Sequence, residues 1–156
     1  MKTICLYSSE TGFTKQYAEW ISEELGCECE ELKSFSNNLS DYDMAIYGGS
    51  IFAGKIRDLD KFQQLNPKTY IVFAVGMTED TGNYADELKK ANPLEKVTLF
   101  YLRGGARFSK LGFMNRTILK KVTKMKEDVD YSDKASIAKL VDFVKKREKM
   151  KDYKKK

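Results

Sequence analysis

The sequence predicts an α/β three-layer sandwich, a five-stranded parallel sheet with helices on both faces. Three observations predict it. Four short apolar runs read as strands buried on both sides, segments of helical period separate them, and strand and helix alternate along nearly the whole chain. Right-handed crossovers then distribute the helices over both faces of the sheet.

The four runs are Thr3 to Tyr7, Met44 to Tyr47, Thr69 to Val75 and Val97 to Leu102. A fifth strand, Cys27 to Leu32, is more polar, as befits a sheet edge. Helical spacing links Tyr17, Ile21 and Leu25; Leu59, Phe62 and Leu65; Tyr84, Leu88 and Ala91; Ile118, Val122 and Met125; and Ile137, Leu140, Val141 and Val144. Gly26 stands where the first helix needs a left-handed terminator, Pro93 follows the third helix, and Ser132 or Asp133 can cap the last. The segment from Lys33 to Asp43 is short for a parallel crossover.

The chain has 156 residues, 42% hydrophobic and 33% charged, which predicts one domain over residues 1–150 that folds alone. No stretch is long and apolar enough to span a membrane, and the amino terminus lacks the order of a signal peptide, so a cytoplasmic location is expected. The net charge of +5 belongs to the end of the chain, because nine basic residues face three acidic ones between Lys139 and Lys156. The simplest account is a solvated helix end with a basic tail over 151–156; attraction to an anionic surface is the alternative. Cys5, Cys27 and Cys29 are an odd count in strand-like surroundings, so reduced, packed thiols are expected, and with no histidine no metal site is predicted.

In a parallel sheet ligands sit beyond the carboxyl ends of the strands, where the strand order switches direction. The loop after the first strand, Ser8 to Thr14, groups hydroxyls around Gly12 at a helix start. There, free N–H groups of residues 10 to 15, the hydroxyls of Ser9, Thr11 and Thr14, and the positive helix end suit a phosphate monoester. A plain N-cap with solvated hydroxyls would give the same pattern. Gly49-x-x-x-x-Gly54-Lys55 comes one residue short of a nucleotide P-loop, since Ile56 replaces the magnesium-binding hydroxyl. The loops Gly48–Ile56 and Gly76–Tyr84 instead combine exposed backbone with Ile51, Phe52, Met77 and Tyr84, which suits a flat heterocycle.

The pattern Ser9-x-Thr11-Gly12-x-Thr14 after the first strand resembles the FMN phosphate loop of flavodoxins, and the order of elements is similar over nearly the whole chain. That resemblance implies a flavodoxin-like sheet of order 2-1-3-4-5, FMN at its carboxyl edge and a role in electron transfer. It implies cofactor contacts from Ser9, Glu10, Thr11, Gly12, Phe13 and Thr14, from Ser50, Ile51, Phe52, Ala53 and Gly54, and from Gly76, Met77, Thr78, Glu79 and Tyr84.

The stretches Asp41 to Gly54 and Arg103 to Arg116 further resemble the flavodoxin-domain group that includes menaquinone-dependent protoporphyrinogen dehydrogenases. Gly48, Ser50, Ile51 and Gly54 match that group's second loop; Lys110, Gly112, Phe113, Asn115 and Arg116 match its excursion after the last strand. Ala53 and Lys55 depart from it. The resemblance implies, as the alternative to a simple electron carrier, an oxidoreductase passing electrons to a quinone.

The excursion from Arg103 to Met114 is long for a β–α connection and mixes Arg103, Arg107 and Lys110 with Phe108, Leu111 and Phe113 around Gly104 and Gly105. It is expected to receive a redox partner protein, or a quinone or tetrapyrrole substrate, and with the terminal lysines to offer contact to the inner face of a membrane. It could equally cover the end of the sheet. No nucleic-acid partner is expected. No nucleophile–base pair is evident, so hydrolytic and acyl-transfer chemistry are not predicted. A nucleotide- or anion-binding module without redox activity is the remaining alternative.

Overall fold

Apolar residues on every position of a strand require cover on both faces, and the sheet meets that requirement. A computed structural model of the chain describes residues 1–10, 12–80, 82–106 and 129–155. Thr3–Ser8 forms β1, buried at all six positions. On one side β1 pairs in parallel with the short edge strand β2 (Glu28–Glu31), on the other with β3 (Met44–Phe52). β5 (Tyr70–Gly76) and β6 (Leu99–Arg103) continue the sheet in parallel. The order β2-β1-β3-β5-β6 is 2-1-3-4-5 when the parallel strands alone are counted, as expected of the flavodoxin-like class.

Period-2 alternation sends successive strand residues to opposite faces. Cys5, Tyr7, Ile46, Phe73 and Val75 face one layer, made of α1 (Phe13–Leu25) and α4 (Ala138–Lys155), through Tyr17, Ile21, Leu140 and Val144. Ile4, Leu6, Tyr47, Val72 and Ala74 face the other, made of α2 (Leu59–Gln63) and α3 (Tyr84–Ala91), through Leu59, Phe62 and Leu88. α1 stops at Gly26, which takes φ 63°, as the terminator rule requires. Asp133 caps the 3-10 turn Lys134–Ile137 that leads into the last helix, accepting from the Ala135 N–H at 3.0 Å. α4 runs on through Lys155, and its Lys151 ammonium pairs with Asp43 at the start of β3.

Two expectations are corrected. The third strand does not end at Tyr47: it continues through Gly48 and Gly49 to Phe52, and a tight turn at Ala53 (φ 51°) and Gly54 (φ 78°) brings β4 (Lys55–Ile56) back antiparallel to it. Both central residues of this two-residue turn are left-handed, the hairpin geometry that matches strand twist. Gly48 and Gly49 are glycines for packing, not for a loop, since a Cβ on Gly48 would lie 2.0 Å from the Phe73 ring and one on Gly49 2.7 Å from Ile56. The crossover from Lys33 to Asp43 contains two short 3-10 turns, Leu32–Ser34 and Leu39–Asp41. The helix expected around Ile118, Val122 and Met125 lies outside the described residues. Among the described residues, no helix is long and apolar enough to cross a membrane.

Candidate functional site at the carboxyl edge of the sheet

Strands β1, β3, β5 and β6 all deliver their carboxyl ends to one rim, and the three loops singled out above meet there. Gly12, at φ 98°, directs the backbone into α1, and its N–H donates to Ser9 Oγ at 3.1 Å. One of the N–H groups expected to be free for a ligand is therefore already used. The N–H groups of Thr14 and Lys15, in the first turn of α1, have no acceptor within the helix. The hydroxyl of Thr14 is buried at 1% exposure, and among the described residues it has no hydrogen-bond partner. A buried hydroxyl without a partner costs about 1–3 kcal/mol, so an acceptor at this helix start would be stabilised by it; Thr3 Oγ1 and Gln16 Oε1 are also buried without a partner among the described residues. Thr11 lies outside the described residues.

The second segment is a rigid hairpin. Asn92, buried at the end of α3, accepts from Ile56 N–H at 2.9 Å and donates to Gly54 O at 3.0 Å, holding the turn against the body. The Lys55 ammonium donates to Ala91 O, and Ile56 offers no hydroxyl for a magnesium ion, so this turn does not have the make-up of a P-loop. The hairpin carries Ser50, Ile51, Phe52, Ala53 and Gly54 along the rim beside Gly76: a Cβ on Gly76 would lie 3.1 Å from Ile51 Cδ1.

Arg57, just past the hairpin, was not singled out in the sequence. Its Nη2 pairs with Glu10 Oε2 at 2.6 Å and its Nε donates to Ser50 Oγ at 3.3 Å, joining the first loop to the second. Its own backbone is fixed as well: Arg57 N–H donates to Ser50 O at 2.9 Å, and Arg57 O accepts from the hydroxyl of buried Tyr47. Burial raises the Tyr47 hydroxyl well above its usual range, so it stays a donor.

The third loop leaves β5 at Gly76. Arg103 Nε donates to Met77 O at 3.0 Å, and the Tyr101 hydroxyl, also raised by burial, donates to Thr78 O. Glu79 is exposed. Tyr84 packs edge-on against Tyr101, ring centroids 4.6 Å apart, on the α3 side of the loop.

The root of the excursion is built into the same rim. Gly104 N–H donates to Gly76 O at 2.7 Å, and Gly105 and Ala106 (β7) pair antiparallel with Val129 and Asp130 (β8). Both glycines are sterically required: a Cβ on Gly104 would lie 2.6 Å from Val75, and one on Gly105 2.0 Å from Val129 O. Arg103, expected to face a partner, instead stacks on the Tyr131 ring at 3.8 Å and braces the third loop. Arg107, Phe108, Lys110 and Phe113 lie outside the described residues.

The arrangement offers an anion-compatible helix start, a stiff hairpin and a braced loop around one rim. The family model of the flavodoxin domain matches residues 4–133, a span that contains all three. No curated protein matches the chain. Among solved structures, the chain is similar to a flavoprotein in complex with FMN from Lactobacillus acidophilus, at 17% identity over 65% of this chain and 91% of that one (TM-score 0.49). It is similar to a flavodoxin from the domain Archaea at 18% identity, covering 78% and 93% (TM-score 0.46). It is also similar to oxidised flavodoxin 2 from Bacillus cereus at 16% identity, covering 80% and 96% (TM-score 0.45).

Proposed function

The chain belongs to the flavodoxin-domain family, and on that premise we propose that it holds FMN at the carboxyl rim of its sheet and works as an electron-transfer protein. The observation that carries this reading is the buried hydroxyl of Thr14 at the start of α1, which has no partner among the described residues and stands beside the left-handed Gly12. A phosphate supplies the acceptor that this hydroxyl lacks, and the helix end favours its charge. Ser9, Thr11, Gly12 and Thr14 would hold the phosphate; Ser50–Gly54 and Gly76–Glu79 would border the ring.

Bound FMN supplies the redox chemistry. The chain's contribution is to position it and set its electrostatic surroundings. The first 138 residues are close to neutral, so the body lacks a dense negative surface that would oppose the arrival of further electrons. A narrower reading, an oxidoreductase of the protoporphyrinogen dehydrogenase type passing electrons to a quinone, rests on the likeness of Asp41 to Gly54 and Arg103 to Arg116 to that group. The excursion and the terminal lysines would then meet substrate or a membrane surface.

The test is an absorption spectrum of the full chain after mixing with FMN and removing the excess. Flavin bands should stay with the protein and be lost when Thr11 and Thr14 are both replaced by alanine. A colourless native protein would refute the reading. Turnover of protoporphyrinogen with menaquinone by the FMN-loaded protein would select the narrower reading, and its absence would leave the electron carrier.

A further inference from the structure

All three cysteines lie on the α1 side of the sheet, away from the rim. Cys5 in β1 and Cys29 in β2 are register partners, side by side in the parallel pair. Cys5 is completely buried beneath α1, whereas Cys29 is exposed on the edge strand. Neighbouring strands lie about 4.8 Å apart, inside the 4.4–6.8 Å over which disulfides join Cα atoms.

The two thiols differ in character. The neighbouring Cys29 sulfur, with burial, pushes Cys5 well above the ordinary thiol range, and the neighbouring Cys5 thiol lowers Cys29 to about 7. Ser22 sits in the same cluster but gives its one hydroxyl proton to Ala18 O at 2.7 Å, so Cys5 is the group that matters. Cys27 is half-buried and is raised mainly by that burial. It stands two residues before Cys29 and opposite no cysteine of β1.

We propose that Cys29 and Cys5 form a peroxide-reactive thiol site: Cys29 is oxidised at the sheet edge and Cys5 resolves it as a reversible cross-strand disulfide. The Cys29 thiolate attacks one peroxide oxygen; an S–O bond forms, the O–O bond breaks, and the leaving oxygen departs as an alcohol, or as water from hydrogen peroxide. The Cys5 sulfur then attacks the Cys29 sulfur, the S–O bond breaks, and water leaves with the Cys5 proton. The two thiols lose two electrons and two protons, and the peroxide takes them up.

Parallel register constrains the product. Parallel partners keep their Cβ atoms near the strand spacing, while a disulfide holds them about 3.8 Å apart, so closure draws β2 inward by about 1 Å. β2 is bonded to one strand only and can follow. The resulting bridge is strained and therefore readily reduced by thiols.

The experiment is hydrogen peroxide treatment of the full reduced chain, followed by thiol blocking, intact mass and peptide mapping with cleavage after Glu28, which separates Cys27 from Cys29. The mass should fall by two hydrogens, with a Cys5–Cys29 cross-link that dithiothreitol reverses. Cys29→Ser, an exposed change, should abolish the product, and Cys27→Ser should leave its rate within about twofold. Cys5→Ala should leave a sulfenic acid on Cys29 that dimedone traps. A cross-link through Cys27, the same product in Cys29→Ser, free thiols throughout, or irreversible oxidation of Cys29 beside a free Cys5 would each overturn the proposal.

Discussion

Arg57 and Glu10 form an ion pair of 2.6 Å between the loop at the start of α1 and the hairpin that follows β3. Glu10 alone would place a negative charge inside a segment suited to an anion. Arg57 neutralises that charge and, through Ser50, fixes the distance between two sides of the rim. Both side chains are about a quarter to a third exposed, so the pair's worth to folding should be modest, about 0.2–1 kcal/mol. Its effect on the ligand should be larger. Arg57→Met is expected to weaken FMN binding about tenfold, or about 1.4 kcal/mol. A Glu10→Gln, Arg57→Met double-mutant cycle read by FMN titration checks this, and independent effects of the two changes would show that the pair does not couple the loops.

Thr14→Val separates function from stability. The swap removes a buried hydroxyl that has no partner among the described residues and keeps the shape, so the apoprotein should be as stable as the native chain or more stable, by up to about 1–3 kcal/mol. FMN affinity should nevertheless fall. Denaturant melts with and without FMN read both quantities. Loss of apoprotein stability would mean that the hydroxyl serves the fold.

Gly48→Ala should be severely destabilising although the added group is one methyl. Its Cβ would sit 2.0 Å from the Phe73 ring, and neither the central strand β3 nor its neighbour β5 can yield without breaking the sheet. Overpacking of this kind costs about 1–3 kcal/mol or more. A urea melt with an unchanged slope and a shifted midpoint is the expected result.

These glycines also show what sequence reading could and could not reach. The place of the first loop between β1 and α1 was legible because hydroxyls and a glycine directly follow an apolar strand, and every signal there is local. Gly48 and Gly49 carry the same local mark of a loop, yet they lie inside a strand, because their lack of a side chain accommodates Phe73 and Ile56 from other elements. Arg57 was illegible for a related reason: its partner Glu10 is 47 residues away and comes within reach only when the hairpin folds back. The same holds for Asn92, which looks like a helix end in the sequence and clamps the hairpin in the structure. Arg103 misled in the opposite sense, since a basic residue opening a long loop suggested a partner, and the guanidinium is engaged by Met77 and Tyr131.

Asp43 should shape the acid limb of stability. The Lys151 ammonium first, and then the Lys2 N–H at 2.7 Å, hold its carboxyl down at about 2. Because the folded value lies below the unfolded one of about 4, the stabilisation is present above that unfolded value and is lost as pH falls from about 4 toward 2. Asp43→Asn should lower stability slightly at neutral pH and flatten the loss across that window. Thermal melts between neutral pH and the acid limit check it, and an unchanged profile would mean that the carboxylate contributes nothing.

The most direct test of the central claim is calorimetric titration of the full apoprotein with FMN and, in parallel, with riboflavin, which carries the same ring without the phosphate. The account predicts one site for FMN and binding of riboflavin weaker by at least about tenfold, a difference of about 1.4 kcal/mol or more. Thr14→Val should narrow that gap. Equal affinity for the two, or no binding of FMN, would contradict a phosphate site at the start of α1.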